Sequence, residues 1–388
     1  MEQPLAALKE QSLLRTIRPS AVATGKAGRI VREGRELLDL SSNDYLGLSQ
    51  HPAVKEAMIQ SLLEEGCGAG ASRLISGSRE GCEQLEETLA QWHDAEAAVV
   101  FGSGYMCNVG AISALAGRED AVFSDRLNHA SIVDGVVLSR AEHIRYRHAD
   151  PDHLESLLKK QRGSRRRWIV TDAVFSMDGD AAPLRELIEL KYRYDAGLIV
   201  DEAHSGGIYG AEGQGLAAEL GLAEHVDVHI GTFSKSFGVY GAYAAGSRTL
   251  RSWLVNKARP LIYSTALPPS VVAGVRQSLH LIRHERRRAA EVRRLAVTFR
   301  KTLASEGLRV LGRPDCPIVP VVTGDPNAAL RFSEELVLAG IAASAIRPPT
   351  VPVSAARVRF SLSGAHSEQD MQEALAAIVH IAGRIGLR

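Results

Sequence analysis

From about residue 95 to 245 the chain alternates short apolar runs with amphipathic stretches of helical spacing. The runs are Ala97–Phe101, Ala121–Ser124, Trp168–Thr171, Gly197–Val200, Val226–Gly231 and Ala242–Ala245, bounded by Gly, Asp and Ser. A strand with one face in water alternates apolar with polar residues, whereas a continuous Val/Ile-rich run needs apolar cover on both faces. Helical stretches such as Leu184–Arg193 supply that cover. The pattern predicts an α/β fold with a large, mostly parallel sheet covered by helices on both sides.

Beyond this region the periodicity changes. Residues 268–310 are charged and apolar at helical spacing and read as a linking helix. Strand-like runs follow at Ile318–Val322, Ile341–Ile346 and Arg357–Ser363, framed by helical runs at 326–339 and 367–385. A smaller C-terminal α+β domain is expected, giving an arm with a helix and strand segment (1–50), a large domain (51–270) and linking helix plus small domain (271–388). The 388 residues are enough for a large core. With 46 cationic against 45 acidic side chains the net charge is +1, which argues against a nucleic-acid partner. Arg165–Arg167 and Arg286–Arg288 read as solvated faces. Without an apolar run of about eighteen residues, no membrane span is expected. The first twenty residues read as a short amphipathic helix, without the basic start and apolar core of a signal peptide. Cys67, Cys82, Cys107 and Cys316 lack C-x-x-C spacing, so they read as small buried residues in a cytoplasmic protein, with no metal site.

Chemistry concentrates where strands end, as it does in open α/β sheets. Leu198–Val200 runs into Asp201-Glu202-Ala203-His204; an aspartate there can equally cap the next helix. Val226–Gly231 runs into Thr232-Phe233-Ser234-Lys235-Ser236-Phe237-Gly238. The chain has 37 arginines but only nine lysines, and most lysines lie in helical stretches. Lys235 instead sits past a strand end among hydroxyls and glycines, where a lowered pKa makes an amine a nucleophile. A lysine and an aspartate on neighbouring strand ends suit pyridoxal 5'-phosphate (PLP), whose ring nitrogen needs a carboxylate. Gly102-Ser103-Gly104-Tyr105 leads from a strand into a helix, a candidate phosphate cradle or an ordinary turn. His129 follows the strand Ala121–Ser124 and can stack on a ring or be merely structural. Gly66-Cys67-Gly68-Ala69-Gly70-Ala71 loosely matches a dinucleotide fingerprint, but follows a helix rather than a strand, so NAD binding is rejected there.

These residues sit in blocks that resemble the α-oxoamine synthases, PLP enzymes of the fold-type I aminotransferase superfamily. The blocks are Ser41–Leu48, Val174–Asp180, Asp201–His204, Thr232–Lys235 and Tyr263–Thr265, with the resemblance running to Arg357–Arg359. One departure is Asp172-Ala173, where the family pattern has Glu-Gly or Asp-Gly. The resemblance implies a large PLP domain with a smaller C-terminal domain. It implies that Lys235 forms the Schiff base, Asp201 pairs with the pyridine nitrogen, His204 bonds the cofactor's phenolic oxygen and His129 stacks on the ring. Gly104, Tyr105 and Thr232 would hold the phosphate, Ser264 or Thr265 would reach in from a second subunit, and Ser176 would line the pocket. Arg359 would bind the amino-acid carboxylate, with Arg15 and Thr350 contacting substrate and Arg18 one turn from Arg15.

Ile346-Arg347-Pro348-Pro349-Thr350-Val351-Pro352 narrows the implied substrates to L-alanine and pimeloyl-CoA or a pimeloyl carrier protein, in a homodimer with shared active sites. Three other readings stay open: condensation of glycine with acetyl-CoA, a simple aminotransferase, and a non-catalytic PLP-fold binding subunit. The last usually lacks the lysine, which this chain keeps at Lys235.

Overall fold

The apolar runs assemble into a seven-stranded sheet. The structure, a computed structural model, describes residues 2–161 and 163–387. In chain order the strands are β1 (Ala97–Phe101), β2 (Ala121–Asp125), β3 (Glu142–Tyr146), β4 (Arg167–Asp172), β5 (Gly197–Asp201), β6 (Val228–Thr232) and β7 (Ala242–Gly246). Their spatial order is β1-β7-β6-β5-β4-β2-β3, and only β7 runs against its neighbours. The inner strands β2 and β6 are buried at every residue, as strands covered on both faces are. Strand β3, Glu-His-Ile-Arg-Tyr, has no such run: it is an edge strand, partly open to water, and carries the polar residues an edge tolerates.

Two compact units form. The larger comprises 48–175 and 181–289, and contains the seven-stranded sheet. Helices α1 (Glu80–Trp92), α2 (Gly104–Leu115) and α3 (Ala130–Ser139) belong to it. The core there is built from Val99, Phe101, Ile112, Val122, Val170 and Ile199 with their neighbours. The smaller unit comprises residues up to 47, 176–180 and 290 onward. It holds the antiparallel sheet Ile318–Gly324, Ala356–Ser361 and Ser344–Ile346. A second sheet joins Ala21–Val22, Arg29–Arg32, Arg35–Asp39 and Ile341–Ala342. The run Ile341–Ile346 is therefore two strands in two sheets rather than one. The amphipathic start is a helix over Glu2–Glu10.

The stretch expected as one linking helix is two, Pro269–His284 and Arg287–Ser305. Arg286, at the break, is not a solvated cation: its guanidinium donates to the carbonyls of Gly207 (3.1 Å), Ile208 (3.3 Å) and Gly210 (3.0 Å). Arg167 likewise opens β4 and donates to the carbonyls of Gln161 and Tyr194. Cys82, Cys107 and Cys316 are buried and Cys67 is exposed, all four as free thiols. Among the described residues no helix is long and apolar enough to cross a membrane, and no cluster of three or more His, Cys, Asp or Glu could hold a metal ion.

Several buried histidines are held neutral. In the larger unit His93 lies 2.7 Å from the Tyr243 hydroxyl, and its ring centroid is 5.1 Å from that of His229. Burial pushes His229 down to about 4 and His93 well below the ordinary imidazole range. In the smaller unit His366 is also pushed down to about 4 by burial. The unfolded chain protonates these rings near pH 6.5 while the folded chain does not, so their stability contribution is complete above that pH and falls as pH drops toward 4. Each ring removes up to about 1.4 kcal/mol per pH unit in that window. The urea midpoint should fall between pH 7 and 5, and His229→Gln should shallow the fall; a flat profile contradicts this account.

Candidate active site

The sheet register brings the candidate phosphate residues together. Phe101 stands beside Ala242, and Ala242 beside Thr232, so the loop leaving β1 lies next to the end of β6. A Cβ built on Gly104 would lie 3.5 Å from Thr232 Oγ1. Ser103 caps α2 by accepting from the Met106 N–H, which points the helix start into this space. Thr232 Oγ1 donates to the Gly241 carbonyl (3.0 Å) and accepts from the Ser234 N–H (3.2 Å). Tyr105 donates to the Asp134 carboxylate, and its ring meets His129 edge-on with centroids 6.3 Å apart.

Asp201 is the buried end of β5, 4% exposed. Its Oδ2 accepts from Asn108 Nδ2 at 2.7 Å and its Oδ1 from the Ala203 N–H at 2.9 Å. Asn108 Nδ2 also reaches Ser131 Oγ at 3.0 Å, and that hydroxyl lies 2.7 Å from His129 Nδ1. A continuous chain thus runs from Asp201 to His129. Asp172, in register with Asp201 on β4, accepts from the His129 N–H at 2.8 Å. Burial first, and then the Asp201 charge, holds the Asp172 carboxyl well above the usual carboxylate range. Burial likewise lowers the His129 imidazole, with Asp201 working against it, so His129 offers a neutral face. Asp172, which fits the family pattern, thus fastens the start of the His129 loop, while the residue that departs from it, Ala173, is fully buried. Asn108 and Ser131 went unnoticed in the sequence, because a lone Asn or Ser within a helix has no distinguishing spacing.

The four residues after β5 divide by side. Glu202 is buried and accepts from the N–H groups of Leu216 (2.9 Å) and Ala217 (3.0 Å), fastening the segment beyond. Gly215 leaves room for it: at φ +127 a Cβ there would meet Glu202 Oε2 at 2.5 Å. His204, also buried, faces the lysine, with Nε2 2.8 Å from Lys235 Nζ. Amine, imidazole, buried carboxylate and helix N-terminus thus belong to one unit, and this donor set fits PLP: an amine for the aldehyde, a carboxylate for the ring nitrogen, and N–H groups with a hydroxyl for the phosphate.

Among the described residues no hydrogen bond joins Ser264 or Thr265 to Gly104 or Thr232. Ser264 instead lines an open cleft of about 620 Å³ with Tyr105, Asp134, Leu138, Arg259 and Tyr263. Thr265 bridges to Ser72.

The remaining candidates lie in the smaller unit. Arg359 is 6% exposed and aimed by four partners: the Ser176 carbonyl (2.7 Å), Ser361 Oγ (3.0 Å), Asn43 Oδ1 (3.0 Å) and the Tyr45 hydroxyl (3.2 Å). Burial pushes the Tyr45 phenol up, so it stays protonated. Arg15 Nη2 donates to Thr350 Oγ1 at 2.9 Å, pairing two residues 335 positions apart. Arg347 donates to the carbonyls of Ser12 and Leu14, and its guanidinium is lowered by burial and by the charges of Arg15 and Arg18.

Fold and site define a class. The chain matches the class I and II aminotransferase family over residues 35–378 and belongs to it. Its relatives within that family are α-oxoamine synthases. It is 50% identical over 366 residues to a protein of Geobacillus kaustophilus provisionally named 8-amino-7-oxononanoate synthase, 94% of each chain being covered. A Bacillus cereus protein of the same provisional name is 48% identical over 354 residues, 91% of this chain and 89% of the relative. Among solved structures, a serine palmitoyltransferase variant from S. paucimobilis with bound PLP and myriocin superposes with a TM-score of 0.94 at 28% identity, covering 100% of this chain and 98% of that one. The 8-amino-7-oxononanoate synthase of Francisella tularensis gives 0.77 at 28% identity, covering 90% and 98%.

Proposed function

We propose that the chain binds PLP and joins L-alanine to a pimeloyl thioester, forming 8-amino-7-oxononanoate. The observation that carries the reading is the Lys235–His204 contact, in the unit where buried Asp201 ends β5, within a chain half identical to relatives of that name. The acyl carrier is coenzyme A or a carrier protein. PLP, when bound, supplies an electron sink for the bonds at the amino-acid α-carbon.

The protein's own residues do the rest. Asp201, braced by Asn108, would pair with the ring nitrogen. His129 would offer the ring a face that burial keeps neutral. Lys235 would hold the cofactor's aldehyde carbon and its Nζ would accept the proton from the amino-acid α-carbon, with His204 beside Nζ to steady the amine. Gly104, Tyr105 and Thr232 would hold the phosphate, and Ser176 is the further residue that the family resemblance assigns to the cofactor. Arg359, pre-aimed by its four partners, takes the alanine carboxylate. The carbon–carbon bond forms at the thioester carbonyl, the thiol leaves, the carboxylate departs as CO₂ and a proton returns to the α-carbon. Lys235→Ala should abolish the visible absorbance of bound PLP and release no coenzyme A. The unaltered protein should release coenzyme A with L-alanine plus pimeloyl-CoA and far less with glycine plus acetyl-CoA; the reverse order points to the sister condensation.

The acyl group carries a second carboxylate at its far end. Arg15 beside Thr350, with Arg18 and Arg347 adding charge, forms a cationic corner suited to it. Arg347 spends its donors on the Ser12 and Leu14 carbonyls, which ties down the segment that presents Arg15. Heptanoyl-CoA matches the chain but lacks that carboxylate. Pimeloyl-CoA should exceed it in kcat/KM by about tenfold or more, and Arg15→Ala should bring the two close together. Equal use of both by the unaltered protein refutes this role.

A homodimer with shared sites is supported by the cleft rim, where Val137 (64% exposed), Leu138 (63%) and Tyr263 (71%) form an apolar face around Ser264. Partner copies would cover it and carry Ser264 and Thr265 to each other's phosphate sites. Mixing inactive Lys235→Ala protein with a Thr265→Val variant that binds PLP weakly should regain activity as hybrid dimers form. No regain after subunit exchange argues for self-contained sites.

A further inference from the structure

Strand β1 lies at the edge of the large sheet, so alternate backbone groups point away from β7 with no strand to receive them. Two of these groups are satisfied by charged side chains. Glu86 Oε1 accepts from the Val100 N–H at 2.8 Å, and Arg251 Nε donates to the Ala98 carbonyl at 3.2 Å. Arg251 Nη2 also donates to Glu86 Oε2 at 2.9 Å, and Arg73 Nη1 donates to Glu86 Oε1. One turn earlier Glu83 joins the same two arginines, at 3.0 Å from Arg73 and 3.3 Å from Arg251. Glu86 is 3% exposed and sits on the buried stripe of α1, between Cys82 and Leu85 on one side and Leu89 and Ala90 on the other. A carboxylate on such a stripe is costly unless its partners hold it in place.

The clamp has two arms. Val100 is two residues before Gly102, where the chain turns through Ser103 into the N-terminus of α2. The other arm, Arg73, opens the turn Arg73–Gly77; Ser72 before it bridges to Thr265, and the Ala266 N–H donates to the Ala71 carbonyl at 3.0 Å. Arg73, Val100, Gly102, Ser264 and Thr265 line one small cavity of about 50 Å³.

We infer that Glu86 is a positioning residue for the cofactor phosphate: its carboxylate fixes the edge strand that delivers Gly102–Tyr105 and, through Arg73, the segment that carries Ser264 and Thr265. The inference rests on the PLP reading above. Its signature is phosphate-dependent, because pyridoxal can reach Lys235 without engaging the cradle.

The test titrates apo-protein with PLP and with pyridoxal, following the visible absorbance of the bound cofactor, for the unaltered chain, Glu86→Gln and Arg251→Lys. Glu86→Gln keeps the shape and removes the buried carboxylate from between both guanidinia, leaving them only the more exposed Glu83; Arg251→Lys removes the Nε donor to Ala98 and keeps the charge. Glu86→Gln should raise the PLP Kd about tenfold and leave the pyridoxal Kd unchanged, and Arg251→Lys should move PLP the same way by a few-fold. A general structural role would weaken both ligands alike, which overturns the inference, as does an unchanged PLP Kd in a folded variant. Should Glu86→Gln not fold, Arg251→Lys decides by the same ratio. Failure of the unaltered protein to bind PLP overturns the PLP reading instead.

Discussion

A carboxylate set inside a parallel sheet governs the larger unit. Asp201 ends β5 in register with Asp172 on β4, so two acids meet where water is scarce. Burial first, and then the neighbouring Asp201, raise the Asp172 carboxyl well above the usual carboxylate range. A buried carboxyl without hydrogen-bond partners is costly. Asn108 and the Ala203 N–H meet that demand, and Asn108 passes the constraint through Ser131 to His129. A cationic N–H arriving at Asp201 then finds a carboxylate already oriented, with a neutral imidazole beside it.

Much of this was legible in the sequence, for a physical reason. Strands buried on both faces must be continuously apolar, and six of the seven strands showed themselves that way. Lys235 stood out because lysine is scarce and strand ends are an unusual place for it. Strand β3 was invisible because an edge is allowed to be polar. The break after Ala342 was invisible because its cause is non-local: Ile341 pairs with Leu38 while Ser344 pairs with Arg359. Asn108 and Ser131 left no periodic trace. Glu86 did leave one, an acid at the spacing of Cys82 and Ala90 on an apolar stripe, and that conflict with the pattern was the available signal.

The imbalance between arginine and lysine acquires a structural meaning. Arg286 fastens the carbonyls of Gly207, Ile208, Gly210 and Ile282, Arg347 two, Arg167 two, and buried Arg300 those of Leu311 and Ile318. Ties of this kind need several donors in a fixed plane, which a guanidinium has and an ammonium lacks. They also need a group that stays charged when half-buried, and arginine does. Lys235 lies instead just past a strand end, with Nζ 2.8 Å from His204 Nε2.

The same sorting separates two kinds of buried polar group in the larger unit. His93, His229, Tyr243 and Cys107 lie in the core, and burial holds each in its uncharged form. Uncharged groups contribute only weak, short-ranged fields. Lys235, Asp201 and the clamp around Glu86 are instead tied to strand ends, an edge strand and a helix start, where backbone dipoles and side-chain partners face them. Low-dielectric walls strengthen any field that remains, so removing charge from the core leaves the strand ends to dominate. A dianionic phosphate and a cationic ring nitrogen would each then meet a field of the opposite sign. The order of the strands, more than any single residue, keeps those two fields apart: Asp201 on β5 and the helix start at Gly104 after β1 are separated by β6 and β7.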